Sequence, residues 1–280
     1  MIGFDFEYFK PKTVADAVKL FQILEEQGKQ PVYYAGGTEL ITLGRLNQVS
    51  FGSVIDIKGI PDCCVYGYSE QELVIGSSIS LTYLADMRDF PLLGQTAGRV
   101  ADHTARNKIT IGGNICGRII YKEAVLPFLL TDSRVLVAGR NGSRMVPVTD
   151  LFNKGLHLAN GDWMVQFFTD RNMLSLPFYT VKKRKLDVID YPLLTLAALR
   201  KDDEIRVAVS GLCDFPFRSK EIEAVLNDRS MTKNTRILQA VERLPGPVLN
   251  DWIASAEYRI FVLKNTLMEM LSALEGDDLE

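Results

Sequence analysis

Cysteine and histidine are scarce in this 280-residue chain, with four of the first and two of the second. Cys63 and Cys64 are adjacent and cannot readily bridge each other, and neither Cys116 nor Cys213 completes a C-x-x-C pair. That spacing excludes a zinc or iron–sulfur site built by this chain alone, and the thiols read as reduced and mostly buried. His103 and His157 are too few for a metal triad or a catalytic histidine pair. No nucleophile elbow or Ser-His-Asp pattern is present. No apolar run reaches the ~18 residues that a membrane helix needs.

Charge of one sign is also missing. The net charge is −3 and the isoelectric point about 5.6, so no global field favours nucleic acid or an anionic membrane. Met1 to Glu7 lacks a basic stretch and an apolar stretch, which argues against a signal peptide and for the cytoplasm. The familiar nucleotide patterns are absent as well. No G-x-G-x-x-G is followed by an acid about 20 positions on, and no G-x-x-x-x-G-K-[ST] occurs. Neither a Rossmann dinucleotide site nor a P-loop is supported.

What is present is a pair of short glycine segments, Ala35-Gly36-Gly37-Thr38-Glu39-Leu40 and Thr110-Ile111-Gly112-Gly113-Asn114-Ile115. Each follows an apolar or β-branched run. Adjacent glycines permit positive φ and a close approach to a ligand, and consecutive amides can form a concave anion nest. The hydroxyls of Thr38 and Thr110 and the Asn114 amide add donors. One such segment is usually a turn; two of similar chemistry point to a shared phosphate-bearing ligand.

The pattern along the chain predicts alternating elements. Residues 4–10 read as a short strand or arm, and Thr13 as the N-cap of a helix running to Gly28. Strands follow at 31–34, 54–57 and 73–76, with a short helix at 38–43 and helices at 82–88, 92–99 and 122–130. Asn141-Gly142 joins two strands, 133–138 and 143–148, in a hairpin. Further strands are expected at 163–168, 178–183 and 205–209, and helices at 220–226, 231–241 and 255–274. The apolar run 193–199 is read as helix, and the acidic tail 275–280 as disordered. The alternation argues an α+β class with mixed sheets and a domain boundary near residue 175.

The chain resembles the FAD-binding subunit of the molybdenum hydroxylases, the xanthine dehydrogenase and carbon monoxide dehydrogenase group. The A-G-G-T-E-L segment carries the likeness, with Arg106-Asn107-Lys108-Ile109-Thr110-Ile111-Gly112-Gly113-Asn114. Lys182-Lys183-Arg184-Lys185 with Asp187, Phe215-Pro216-Phe217-Arg218, Glu223 and Ser255-Ala256-Glu257-Tyr258-Arg259 extend it toward the C-terminus. The resemblance implies a two-part FAD-binding domain of the vanillyl-alcohol-oxidase-like type over 1–175. A smaller α+β domain of the CO dehydrogenase flavoprotein type would occupy 176–280.

It further implies FAD as cofactor, with its diphosphate against Tyr33, Tyr34, Ala35, Gly36, Gly37, Thr38, Glu39 and Leu40. Thr110, Ile111, Gly112, Gly113 and Asn114 would close it from the other side. Glu123 stands where the family has an aspartate that contacts the cofactor, although Ile119-Ile120 replaces the family's Ser-Pro; the other reading is a solvated acid at a helix start. The family often has a lysine near the flavin where this chain has Tyr179, with Lys182 close by. The run 182–185 reads otherwise as a solvated strand end. Val100 and Met164 match apolar family positions beside the cofactor and would serve equally as core.

The implied function is electron transfer. A molybdopterin-binding large subunit would oxidise substrate, a small subunit would carry the [2Fe–2S] clusters, and FAD on this chain would reduce an acceptor such as NAD. The assembly would be a dimer of heterotrimers. A flavin also accounts for the missing acid–base residues, because the cofactor carries the redox chemistry. A stand-alone flavin oxidoreductase and a nucleotide-binding scaffold without flavin chemistry are the alternatives.

Overall fold

The computed structural model describes residues 2–152, 154–185 and 190–275. The chain begins with β1 (Glu7–Phe9), α1 (Val14–Glu26), β2 (Pro31–Tyr34), α2 (Thr38–Arg45) and β3 (Ser53–Asp56). These strands form a sheet in the order β1-β3-β2, and both pairings are parallel. Parallel neighbours require a crossover, which α1 and α2 help to supply. Thr13 starts α1 as the sequence predicts, its hydroxyl accepting from the Asp16 amide at 3.1 Å. Ala17, Phe21 and Leu24 bury the inner face of that helix. Thr13→Ala is expected to cost about 1 kcal/mol, the usual worth of an N-cap, measured as a lower urea midpoint of unfolding.

Next come α3 (Pro61–Cys64), β4 (Tyr66–Tyr68), β5 (Glu72–Gly76), α4 (Leu81–Asp86), α5 (Pro91–Gly98), α6 (His103–Arg106), α7 (Ile111–Cys116) and α8 (Leu126–Leu130). They are followed by β6 (Arg134–Gly139), β7 (Gly142–Pro147), α9 (Val148–Leu151) and β8 (Trp163–Asp170). The five strands pair antiparallel in the order β4-β5-β8-β6-β7. Leu73 and Ile75 from the sheet meet Leu84, Leu93, Ile111, Ile115 and Phe128 from the helices in one continuous core. The predicted hairpin is present, but its turn is Arg140-Asn141, one residue earlier than expected, because Gly142, at φ 91°, already pairs with Gly139 as the first residue of β7. The helix predicted at 122–130 begins as a single 3-10 turn, Glu123–Val125, before α8. The sequence reading passed over β4, α3 and α6, each only three or four residues long.

The last part contains β9 (Phe178–Arg184), β10 (Pro192–Lys201), β11 (Glu204–Ser210), β12 (Phe217–Arg218), α10 (Lys220–Leu226), α11 (Lys233–Glu242) and α12 (Ala256–Glu275). Its sheet is antiparallel, ordered β12-β11-β10-β9. Here one expectation fails: 193–199 is the centre of β10, not a helix. Leu194, Leu196 and Ala198 enter the core beneath α10–α12, while Ala197 and Leu199 enter the core of the preceding sheet. A strand buried on both faces loses its polar alternation, so periodicity could not separate it from helix.

Arg259 of α12 is wholly buried. It donates to the carbonyls of Leu193 at 2.5 Å and Gly211 at 2.9 Å, and forks onto both Asp251 oxygens at 2.9 and 3.0 Å. Glu275 belongs to α12 rather than to a disordered tail, and its carboxylate pairs with Arg236 at 2.7 Å. The rest of the tail, 276–280, and Asp187 lie outside the described residues. Of the cysteines, Cys63 and Cys213 are buried, whereas Cys64 and Cys116 are exposed, so the expectation of mostly buried thiols holds for only two of the four.

Candidate functional site

β2 and β3 end together, with Tyr34 paired to Asp56, and the first glycine segment leaves the sheet at that edge. The carboxyl ends of parallel strands are where open α/β sheets place ligands. Gly37 is the N-cap of α2 with φ 71°, in the left-handed region, and it has no side chain to cap the helix. Thr38, Glu39 and Leu40 therefore begin a helix whose first amides find no capping acceptor. The other described helices of eight or more residues are treated differently. The hydroxyl oxygens of Thr13, Thr232 and Ser255 accept from first-turn amides in three of them, and Pro91 opens α5. Uncapped amides need a partner, and a helix N-terminus favours an anion. A diphosphate meets both needs.

The second segment is built differently. The nest expected at 110–114 is a capped helical turn, the start of α7. The Thr110 hydroxyl accepts from the Gly113 amide at 3.2 Å, and the Thr110 carbonyl takes the Asn114 amide at 2.8 Å. The Ile111 and Gly112 amides donate to Ile79 and Ser77, each at 2.9 Å. Asn114 Oδ1 accepts from the Ala124 amide at 3.2 Å. These groups fix the turn against 77–81 and 122–125. Gly112 needs its missing side chain for that packing, because a Cβ would sit 2.7 Å from the Ser77 Cβ.

The two segments nevertheless meet. A Cβ on Gly36 would overlap the Lys108 carbonyl oxygen, so glycine is what lets them touch. Glu39 joins them a second time. Its carboxylate accepts from the Arg118 amide at 2.7 Å and the Ile119 amide at 3.3 Å, beyond the end of α7.

Tyr33 is held between Phe21 and Trp163, with ring centroids 5.0 and 5.1 Å apart. Burial pushes its phenol well above the ordinary tyrosine range. Tyr34 turns the other way and lies over Gly37, where a Cβ would strike its ring. The sequence reading missed Lys58, which sits against this edge. Its ammonium lies 4.2 Å from the Tyr34 ring centroid, donates to the Ala35 carbonyl at 2.7 Å and pairs with buried Asp56 at 2.8 Å. Tyr8 donates its hydroxyl to the same carboxylate. The available signal was position, since Asp56-Ile57-Lys58 follows a parallel strand neighbouring β2.

Glu123 and Lys182 form a buried ion pair at 2.6 Å, their side chains only 5% and 4% exposed. Neither solvated reading survives. Glu123 is not a surface acid at a helix start, and Lys182 is not a solvated strand end. Lys182 also donates to the Arg99 carbonyl at 3.2 Å, tying β9 to the end of α5. Val100 and Met164 are both in the hydrophobic core around α5, α7 and α8.

A family model described as FAD binding domain in molybdopterin dehydrogenase matches residues 4–163. The xanthine dehydrogenase FAD-binding subunit of Escherichia coli O157:H7 is 26% identical over 290 residues, covering 96% of each chain. The nicotinate dehydrogenase FAD-subunit of Eubacterium barkeri is 24% identical over 305 residues, covering 97% of this chain and 98% of the other. Carbon monoxide dehydrogenase from Hydrogenophaga pseudoflava superposes with a TM-score of 0.86 over 98% of this chain and 99% of its own, at 24% identity. That likeness establishes a shared mixed helix-and-sheet fold.

Proposed function

From the premise that this chain belongs to the family of the FAD binding domain in molybdopterin dehydrogenase, we propose that it is the flavin-bearing, electron-transferring member of a xanthine dehydrogenase-like complex. Family membership makes it an oxidoreductase subunit with FAD as cofactor. The observation that carries the reading to particular residues is the uncapped start of α2 at Gly36-Gly37, pressed against Lys108. The amides of Thr38, Glu39 and Leu40 would hold the diphosphate, and Tyr33, Tyr34 and Ala35 would shape the approach. Thr110–Asn114 would support the other side as a rigid turn. Glu39 would fix the spacing between the two segments, and Glu123 with Lys182 would fix β9 against the turn before α8, beside Val100 and Met164.

When bound, FAD supplies the redox chemistry that links [2Fe–2S] clusters on a small subunit to an acceptor such as NAD. A molybdopterin-binding large subunit would oxidise the substrate, within a dimer of heterotrimers. The proposal includes a division at 175/176, a vanillyl-alcohol-oxidase-like type for the first part and a CO dehydrogenase flavoprotein type for the second. Among the described residues no helix is long and apolar enough to cross a membrane.

Titration of the purified chain with FAD and with FMN tests this reading. One FAD per chain is expected, with FMN far weaker, because the α2 amides offer an anion site suited to a diphosphate. No flavin after reconstitution would favour the scaffold alternative. Copurification without molybdenum or iron would favour the stand-alone oxidoreductase. Hydroxylation of purines or aldehydes by the isolated chain would overturn the electron-transfer role.

A further inference from the structure

The end of α5 carries more positive charge than its fold needs. Two cations converge on the Arg99 carbonyl, and the Arg99 guanidinium is a third positive group beside them. Lys182 donates to the carbonyl at 3.2 Å, Arg184 donates to it at 2.9 Å, and Arg99 itself reaches across to the Thr180 carbonyl at 2.5 Å. Cations do suit a helix C-terminus, and the two lone pairs of the carbonyl take both donors, but the charge they bring is not fully balanced by acids. Among the described residues, of these three cations Lys182 alone has an acid, Glu123. Asp102, the nearest acid in sequence to Arg99, is spent on the Ala105 amide at 2.8 Å as the cap of α6. Lys183 and Tyr179, on the opposite face of β9, share Glu269.

Arg99 and Arg184 are left without a carboxylate among the described residues, and both are half-exposed. Each guanidinium carries five N–H donors, and each makes one hydrogen bond to the described residues. The Arg184 Nε is buried with no hydrogen-bond partner among the described residues. The repulsion is felt: burial, and then the Arg184 charge, lower the Arg99 guanidinium pKa from its ordinary value. Two like charges held together at a surface seam cost energy unless an anion joins them. Planar guanidiniums fit phosphate oxygens in a bidentate manner.

We infer that Arg99 and Arg184, at the seam of α5 and β9, form a phosphate subsite for a dissociable dinucleotide electron acceptor, separate from the amides of α2. The inference rests on the flavoprotein reading above, which already assigns the α2 amides to the resident cofactor. It adds a place for the dinucleotide acceptor proposed there. Val100 follows Arg99, and Lys182 lies two residues before Arg184 on β9. The subsite therefore borders residues placed near the flavin, as a partner in electron exchange requires.

Calorimetric titration of the FAD-loaded chain with ADP-ribose and with inorganic pyrophosphate, at low ionic strength, tests it. ADP-ribose carries the dinucleotide's phosphates and no redox group. Arg99→Met and Arg184→Met are each expected to weaken ADP-ribose binding by roughly tenfold or more, the scale of one lost charged hydrogen bond. Arg184→Lys should lose less, and it guards against a fold defect in the methionine variant. Flavin content, read from visible absorbance, should stay at the wild-type value. Failure of the wild-type chain to bind ADP-ribose would overturn the inference, as would equal affinity in both methionine variants. Pyrophosphate binding as tightly as ADP-ribose would reduce the site to one for free phosphate. Flavin loss in the variants would assign the arginines to FAD itself. A chain that binds ADP-ribose but no FAD would instead break the flavoprotein reading and leave the subsite standing.

Discussion

Gly36→Ala is expected to abolish FAD binding and to lower the melting temperature, whereas Gly113→Ala is expected to retain both. The sequence presents the two glycine pairs as equivalents. The structure separates them. A Cβ on Gly36 would overlap the carbonyl oxygen of Lys108, a backbone atom that cannot swing aside. One of the two segments must move, and the start of α2 moves with it. Overpacking of this kind costs about 1–3 kcal/mol and sometimes more.

The cofactor would suffer further, because the amides of Thr38–Leu40 would leave their common direction. At Gly113 the added carbon would sit 2.9 Å from the Thr110 hydroxyl oxygen, a rotatable group. Gly113 is also inside a helix, where alanine gains about 1 kcal/mol in propensity. Gly37→Ala should fall between them, since φ 71° disfavours a side chain and the Tyr34 ring would have to turn away. The measurements are FAD stoichiometry by visible absorbance and thermal melting of each variant. Equal flavin content in Gly36→Ala and wild type would remove the first segment from the site.

What the sequence revealed follows from where the controlling physics is local. Thr13, Ser219 and Thr232 cap helices through hydroxyls acting within three residues, and all three starts were legible, the last to within two residues. The hairpin expected at Asn141-Gly142 was legible for the same reason, to within one residue of its turn. β10 was not, because its two-sided burial depends on both neighbouring layers. The family pattern brought the two glycine segments and Glu123 into view together. It did not show that the amides at 111–114 are consumed by Ile79, Ser77 and Thr110, since those partners are set by tertiary packing. Lys58 and Arg99 escaped notice because a lone cation in sequence reads as solvated surface. Only the fold shows Lys58 against the Ala35 carbonyl and Arg99 beside Arg184.

Breaking the Glu123–Lys182 pair from either side should be among the most damaging substitutions in the protein. Each side chain is at most 5% exposed, and the pair joins the turn before α8 to β9 at 2.6 Å. Removing one partner strands the other charge away from water, which typically costs 3–5 kcal/mol (about). A surface acid replaced by alanine would cost almost nothing. Glu123→Gln and Lys182→Met are therefore each expected to lose about 3 kcal/mol or more of unfolding free energy, measured by urea titration of the FAD-free chain.

The double variant should be less damaged than the sum of the two, because an uncharged pair leaves no stranded ion. FAD affinity then separates support from direct contact. If the pair acts only by fixing β9 against the turn before α8, the double variant recovers flavin binding along with stability. If the Glu123 carboxylate also holds the cofactor, flavin binding stays weak in the double variant after stability has returned. Additive losses of stability in the double variant, or single variants as stable as wild type, would mean that the ion pair does not bind β9 to the turn before α8 in solution.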